Sequence, residues 1–283
     1  MEFRTIVNIP QPSFQIEPLE RMLFVGSCFA DGIGQKFVEE RFRATVNPYG
    51  TMYNPASILH TVERFCEESV DGEFPSVVFF TLGTNHVYRL NATGEIVDNC
   101  QKRPQRLFTE EVLTVDEIVG FLQKAIEKLR FYRADVHVVL TVSPIRYAKY
   151  GYHESQLSKA TLLLAVDKLL EEERRKQLEE SFYPDSTISY FSAYEIVLDE
   201  LRDYRFYKED MLHPSAQAVE YIWQQLVDKY LSPAAQTFLK EWKPIKEALG
   251  HRPFNPDSEE YKQFLTEAKA KEKALLTKYG FRL

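Results

Sequence analysis

Apolar and polar positions alternate in two rhythms along this chain. Unbroken apolar runs occur at 22–25, 77–82, 136–142 and 188–191, with a shorter one at 44–46. Runs of this kind predict strands buried on both faces. Between them the apolar residues recur at helical spacing. Helices are predicted over 30–41 (Ile33, Phe37, Val38 on one side), 57–66 (Ile58, Leu59, Val62, Phe65) and 115–129 (Ile118, Leu122, Ile126, Leu129). A long charged helix is predicted over 156–180, a shorter one over 193–201, and an amphipathic one over 215–230 (Val219, Ile222, Trp223, Leu226). Residues 86–98 read as a small hairpin that turns at "NATGE".

Strands that alternate with helices, and that are apolar throughout, predict an α/β fold with an open, mostly parallel five-stranded sheet and helices on both faces. Ligands of such sheets sit outside the carboxyl ends of the strands. The loops at 26–28, 47–54, 83–86 and 143–147 lie there. Residues 232–283 carry no strand pattern and end in a Lys/Glu-rich helix that closes at Gly280.

Composition narrows the class. The 283 residues are 44% hydrophobic and carry a net charge of −7. An acidic chain without a basic block is a poor match for nucleic acid or an anionic membrane surface. No apolar run reaches the length of a membrane span. The N-terminus lacks the charged start, apolar run and small-residue site of a signal peptide. Cys28, Cys66 and Cys100 are odd in number and widely spaced, which fits a reducing cytoplasm and neither a disulfide framework nor a zinc site. No metal-ligand constellation and no G-x-G-x-x-G loop appears, so neither metal nor cofactor is expected.

The stretch "FVGSCFADG" (24–32) ends an apolar run on small nucleophilic residues and then resumes in a helical pattern. A serine needs a base to attack at neutral pH, and the base needs a carboxylate to orient it. Of six histidines, His213 stands out. Asp210 lies three residues earlier, and Pro214 holds His213 out of helical dihedrals just ahead of a helix. Either a turn with a helix cap or a base with its carboxylate would explain that spacing. Cys28 is a rival nucleophile, although a thiol there is more often a small buried residue. Arg146 follows a strand end and reads as a partner for an acid by default, or as a group that binds an acyl or phosphate group. Arg202 and Arg205 are expected to brace the Asp210 loop.

The residues Gly26 to Ala30 resemble the motif from which the GSCFA family takes its name, and that family is similar to the SGNH/GDSL hydrolases. "NPYGTMYNPASI" (47–58), "TLGTNHVYR" (81–89), "TVSPIRY" (141–147) and "DELRDYRFYKEDMLHPS" (199–215) agree with it. The resemblance covers about residues 20–230. It implies a three-layer α/β/α sandwich, SGNH-hydrolase-like and flavodoxin-like, over 1–231, with 232–283 a helical extension packed on it. It also implies a serine esterase acting on an ester-linked small molecule or an acetylated saccharide. Ser27 would be the nucleophile, His213 the base and Asp210 its orienting carboxylate. Gly50 and Asn85 would hold the oxyanion, with Asn54 the rival donor. O-acyl transfer by the same three residues, or a binding protein on the same fold, are the alternatives. The acid that precedes the serine in G-D-S is absent here, and Tyr147 and Gln101 stand where the family tends towards histidine.

Overall fold

The computed structural model describes residues 4–69, 74–100, 102–179 and 187–281. In chain order the elements are β1 (Arg21–Gly26), α1 (Cys28–Glu39), β2 (Arg43–Val46), α2 (Pro55–Glu68), β3 (Val77–Leu82), β4 (His86–Leu90), β5 (Ile96–Val97), β6 (Phe108–Val112), α3 (Val115–Tyr132), β7 (His137–Val142), α4 (Tyr152–Glu179), β8 (Ile188–Tyr190) and α5 (Ala193–Glu195). The chain then continues as a π-helix over Ile196–Leu201 and closes with α6 (Ala216–Tyr230), α7 (Pro233–Leu249) and α8 (Glu259–Lys278).

Five strands form one sheet in the order β2-β1-β3-β7-β8, and every pair is parallel. This is the doubly wound, flavodoxin-like order. Successive side chains of a strand point to opposite faces. Phe24, Phe79 and Val139, in register across three strands, therefore join Phe37, Ile222 and Phe238 in the core on one face. The Phe24 and Phe79 rings stack there at 4.5 Å. Val25, Phe80 and Leu140 join Ile58, Leu122 and Leu162 on the other face. The result is a three-layer α/β/α sandwich.

The expected hairpin at 86–98 is part of a larger unit. β4 pairs antiparallel with both β5 and β6, giving a three-stranded sheet beside the main one. α1 starts two residues earlier than its apolar spacing suggested, because Ser27 caps it. Val38, expected on the inner side of α1, is exposed. Among the described residues no helix is long and apolar enough to cross a membrane.

The two C-terminal helices share the core of the first face. Phe238, Trp242, Leu275 and Leu276 are buried with Phe37 and Phe42. Trp242 donates its indole N–H to the Glu39 carbonyl at 3.2 Å, and Arg41 pairs with Glu272 at 2.6 Å.

Candidate active site

Ser27 stands where β1 turns into α1, and Gly26 makes that turn possible. Gly26 has φ +146, and a Cβ placed on it would lie 2.2 Å from the Thr81 carbonyl oxygen. Only a residue without a side chain lets the end of β1 lie so close to β3. Ser27 is then the N-cap of α1, and its Oγ accepts the Phe29 N–H at 3.2 Å. Its own N–H donates to the Thr81 carbonyl at 3.1 Å, and its Oγ lies 3.4 Å from Thr81 Oγ1. The loop after β2 closes over this turn. Asn47 accepts the Gly26 N–H at 2.9 Å, and Met52 N–H donates to the Gly26 carbonyl at 2.8 Å.

His213 and Asp210 share the loop before α6. A bridge between Tyr207 and Pro214 pins the base of that loop, and Ser215 caps the helix. One oxygen of Asp210 accepts the Leu212 and His213 N–H groups at 2.8 and 3.0 Å, and the other lies 2.6 Å from His213 Nδ1. These bonds hold the Asp210 carboxyl down at about 2, the two backbone donors contributing most. An ionised carboxylate only accepts, so the proton of this contact belongs to Nδ1, and on the neutral imidazole Nε2 is the acceptor.

A cavity of about 290 Å³ at the carboxyl ends of β1, β3 and β7 brings Ser27, His213 and Arg146 together. No hydrogen bond joins Ser27 to the imidazole. Such contacts commonly tighten only when substrate is bound. Cys28 opens onto the same cavity, with its Sγ 3.6 Å from the Tyr53 hydroxyl, a group that burial pushes up to about 12. A larger cavity of about 380 Å³, lined by His60, Arg64 and Arg103, contains neither Ser27 nor His213.

The other expected site residues are placed differently. Gly50, at φ +97, gives its N–H to the Asn47 carbonyl at 2.9 Å. Asn85 gives its side-chain amide to the Leu113 carbonyl at 2.9 Å and its backbone N–H to Ser158 at 3.0 Å. Asn54 caps α2 by accepting the Ser57 N–H at 2.9 Å. None of the three lines the cavity. Gln101 lies outside the described residues. Arg205 pairs with Asp203 at 3.9 Å and lies over Phe206. The brace on the His213 loop is instead Arg146, which donates to the carbonyls of Leu212 and Met211, each at 3.0 Å.

Sequence reasoning missed Lys159. It lies on the inner face of α4, is 3% exposed, and donates to the Gly83 and Ser143 carbonyls at 2.6 and 2.7 Å. Both carbonyls belong to residues that line the cavity. Burial without a carboxylate partner pushes its ammonium down to about 7. The signal was present in the spacing, since position 159 falls on the apolar stripe that continues through Leu162, Val166 and Leu169. Gly83 was also passed over. A Cβ there would lie 3.3 Å from Ser27 Cβ and 2.9 Å from the Tyr53 carbonyl. Among the described residues no group of three His, Cys, Asp or Glu side chains could hold a metal ion.

No curated protein matches the chain. Among solved structures, a member of the lipolytic protein G-D-S-L family from Veillonella parvula is similar at 13% identity and TM-score 0.44, covering 74% of this chain and 96% of that one. A family two carbohydrate esterase from Clostridium thermocellum, in complex with cellohexaose, is similar at 15% identity and TM-score 0.42, covering 76% of this chain and 66% of that one. The family description "GSCFA family" matches residues 21–74 and 73–226, and "GSCFA domain protein, C-terminal domain" matches 242–281. These matches span the Ser27 turn, all five strands of the main sheet and the Asp210–His213 loop, and on them the chain belongs to the GSCFA family.

Proposed function

We propose that this protein is a serine ester hydrolase that works through an acyl-enzyme on Ser27. One observation carries the reading. Ser27, at the start of α1, and an imidazole whose Nδ1 is held by an ionised carboxylate open onto one cavity at the carboxyl ends of parallel strands. His213 Nε2 takes the Ser27 proton as Oγ attacks the ester carbonyl. The bond from the carbonyl carbon to the alcohol oxygen breaks, and His213 returns the proton to that oxygen. Water, deprotonated by the same imidazole, then releases the acid.

The developing oxyanion needs donors aimed at it, and each is worth about 10²–10³ in rate. The Ser27 N–H and the Gly50 and Asn85 groups have protein acceptors. The donor we assign is the Cys28 N–H. It is the first amide of α1, has no acceptor within the helix, and carries the positive end of the helix dipole. Three free cysteines fit work in a reducing compartment.

The test is release of para-nitrophenol from para-nitrophenyl acetate, together with labelling by a fluorophosphonate. Turnover and labelling that both vanish in Ser27→Ala support the reading. Labelling that persists in Ser27→Ala, or turnover that vanishes in Cys28→Ala alone, overturns the assignment of the nucleophile.

A further inference from the structure

We propose that the alcohol part of the ester carries an anionic group, a carboxylate or a phosphate, that seats against Arg146 and Lys149. This rests on the esterase reading above. Both cations line the cavity that holds Ser27 and His213, and no Asp or Glu lines it. Neither has an ion pair among the described residues. The Arg146 side chain donates to the Met211 carbonyl, which leaves Nε and Nη2 without an acceptor among the described residues. Lys149 donates to the hydroxyls of Tyr88 and Tyr150. Arg146 is half-buried and Lys149 exposed; elsewhere the half-buried Arg130 meets Glu173 at 2.9 Å and Lys246 meets Glu40 at 2.7 Å.

Two cations that pair with no carboxylate in one concavity favour an anion, which both can meet with charge-assisted hydrogen bonds. The Lys149 ammonium is pushed down by desolvation, and the Glu110 carboxylate stands one hydroxyl away, accepting from Tyr88 at 3.0 Å.

Rigid neighbours place both cations before any ligand arrives. The Arg146 guanidinium lies 4.2 Å over the Tyr152 ring. Lys149 precedes Tyr150, whose ring stacks on His86 at 3.9 Å and 7°. His86 is in turn held by Glu110 at 2.9 Å. Groups fixed in this way lose little freedom on binding.

The attachment of Arg146 to the His213 loop bears on which half of the ester is anionic. Arg146 is bonded to Met211 and Leu212, the residues next to His213. The imidazole of His213 returns its proton to the departing alcohol, and we place the anion on that half of the ester, away from the acyl group, because Arg146 is tied to the same loop.

A matched pair of esters tests this: para-acetoxybenzoate and para-acetoxybenzamide release the same acetate from an anionic and a neutral alcohol. The expected kcat/KM ratio favours the benzoate by about tenfold, the order of one charge-assisted hydrogen bond. In Arg146→Gln/Lys149→Gln the ratio falls towards one, and Arg146→Lys keeps part of it. Because Arg146 also braces the His213 loop, Lys149→Gln alone is the second variant, and it should lower the ratio by itself.

Calorimetric binding of para-hydroxybenzoate against para-hydroxybenzamide reads the same preference without catalysis. If neither ester is turned over but the benzoate still binds about tenfold more tightly, the anion site stands and the esterase reading fails. If the two compounds bind alike, or if the ratio survives in Lys149→Gln and in the double variant, the anion site is overturned.

Discussion

Lys159 donates to the Gly83 carbonyl at 2.6 Å from a fully buried position, and a second bond of 2.7 Å ties it to Ser143. One ammonium thus joins the carboxyl ends of β3 and β7, the two strands that flank the floor of the candidate active site. No carboxylate balances it among the described residues. Its burial therefore opposes the charged form, and protonation and folding are linked through it.

The linkage has a definite sign. The folded lysine titrates at about 7, and an unfolded lysine at about 10.4. Between those values the unfolded chain binds a proton that the folded chain does not, so stability rises with pH across the window. Below about pH 7 the full penalty is present. Urea unfolding of the intact chain and of Lys159→Met from about pH 6 to about pH 10, which covers most of that window, should give a stability difference that changes with pH. Parallel curves would mean that Lys159 is paired.

Asp210→Asn should lower kcat by about 10³–10⁴-fold with little effect on the loop. An asparagine Oδ1 can still accept the two N–H bonds that shape the turn. Its amide would face His213 Nδ1 as a donor and stabilise the tautomer with the proton on Nε2, which cannot accept from Ser27. Steady-state kinetics beside thermal melting separates the two effects. A loss of melting temperature that matches the loss of rate would point to a structural role.

Gly26→Ala places a methyl 2.2 Å from the Thr81 carbonyl at a φ of +146. Strand β1 or the Ser27 turn must shift, and a loss of about 3 kcal/mol or more is expected. Chemical unfolding measures it. Near-native stability would mean that the turn relaxes without cost.

Trp242→Ala tests whether the C-terminal helices are part of the core. The ring is 2% exposed and stands within the cluster that contains Phe37 and Phe42. Removing it should cost about 3–5 kcal/mol. A single cooperative transition moved to lower urea is expected. Two transitions, with the larger unchanged, would make the C-terminal helices a separate folding unit.

Much of this architecture was legible from the chain alone. The apolar runs at 22–25, 77–82 and 136–142 are buried strands, and Ser27 and His213 line one cavity at the end of the sheet where such loops converge. Strand β6 was missed because "FTEEV" has one buried residue and two charges, and it becomes a strand only by pairing with β4. Arg146 was legible as a residue at a strand end but not as the brace of the His213 loop. Arg202 and Arg205 were nearer along the chain, yet the brace comes from 65 residues away.

The difference has a physical cause. Whether a segment is strand or helix depends on the spacing of apolar side chains a few residues apart, and Asp210 meets His213 within a single turn. That information lies in the local order of residues. A hydrogen bond such as Lys159 to Gly83 spans 76 residues, and its donor and acceptor share no local pattern. They meet because α4 packs on β3 and β7, and the same packing strips water from the ammonium and leaves those two carbonyls as its partners.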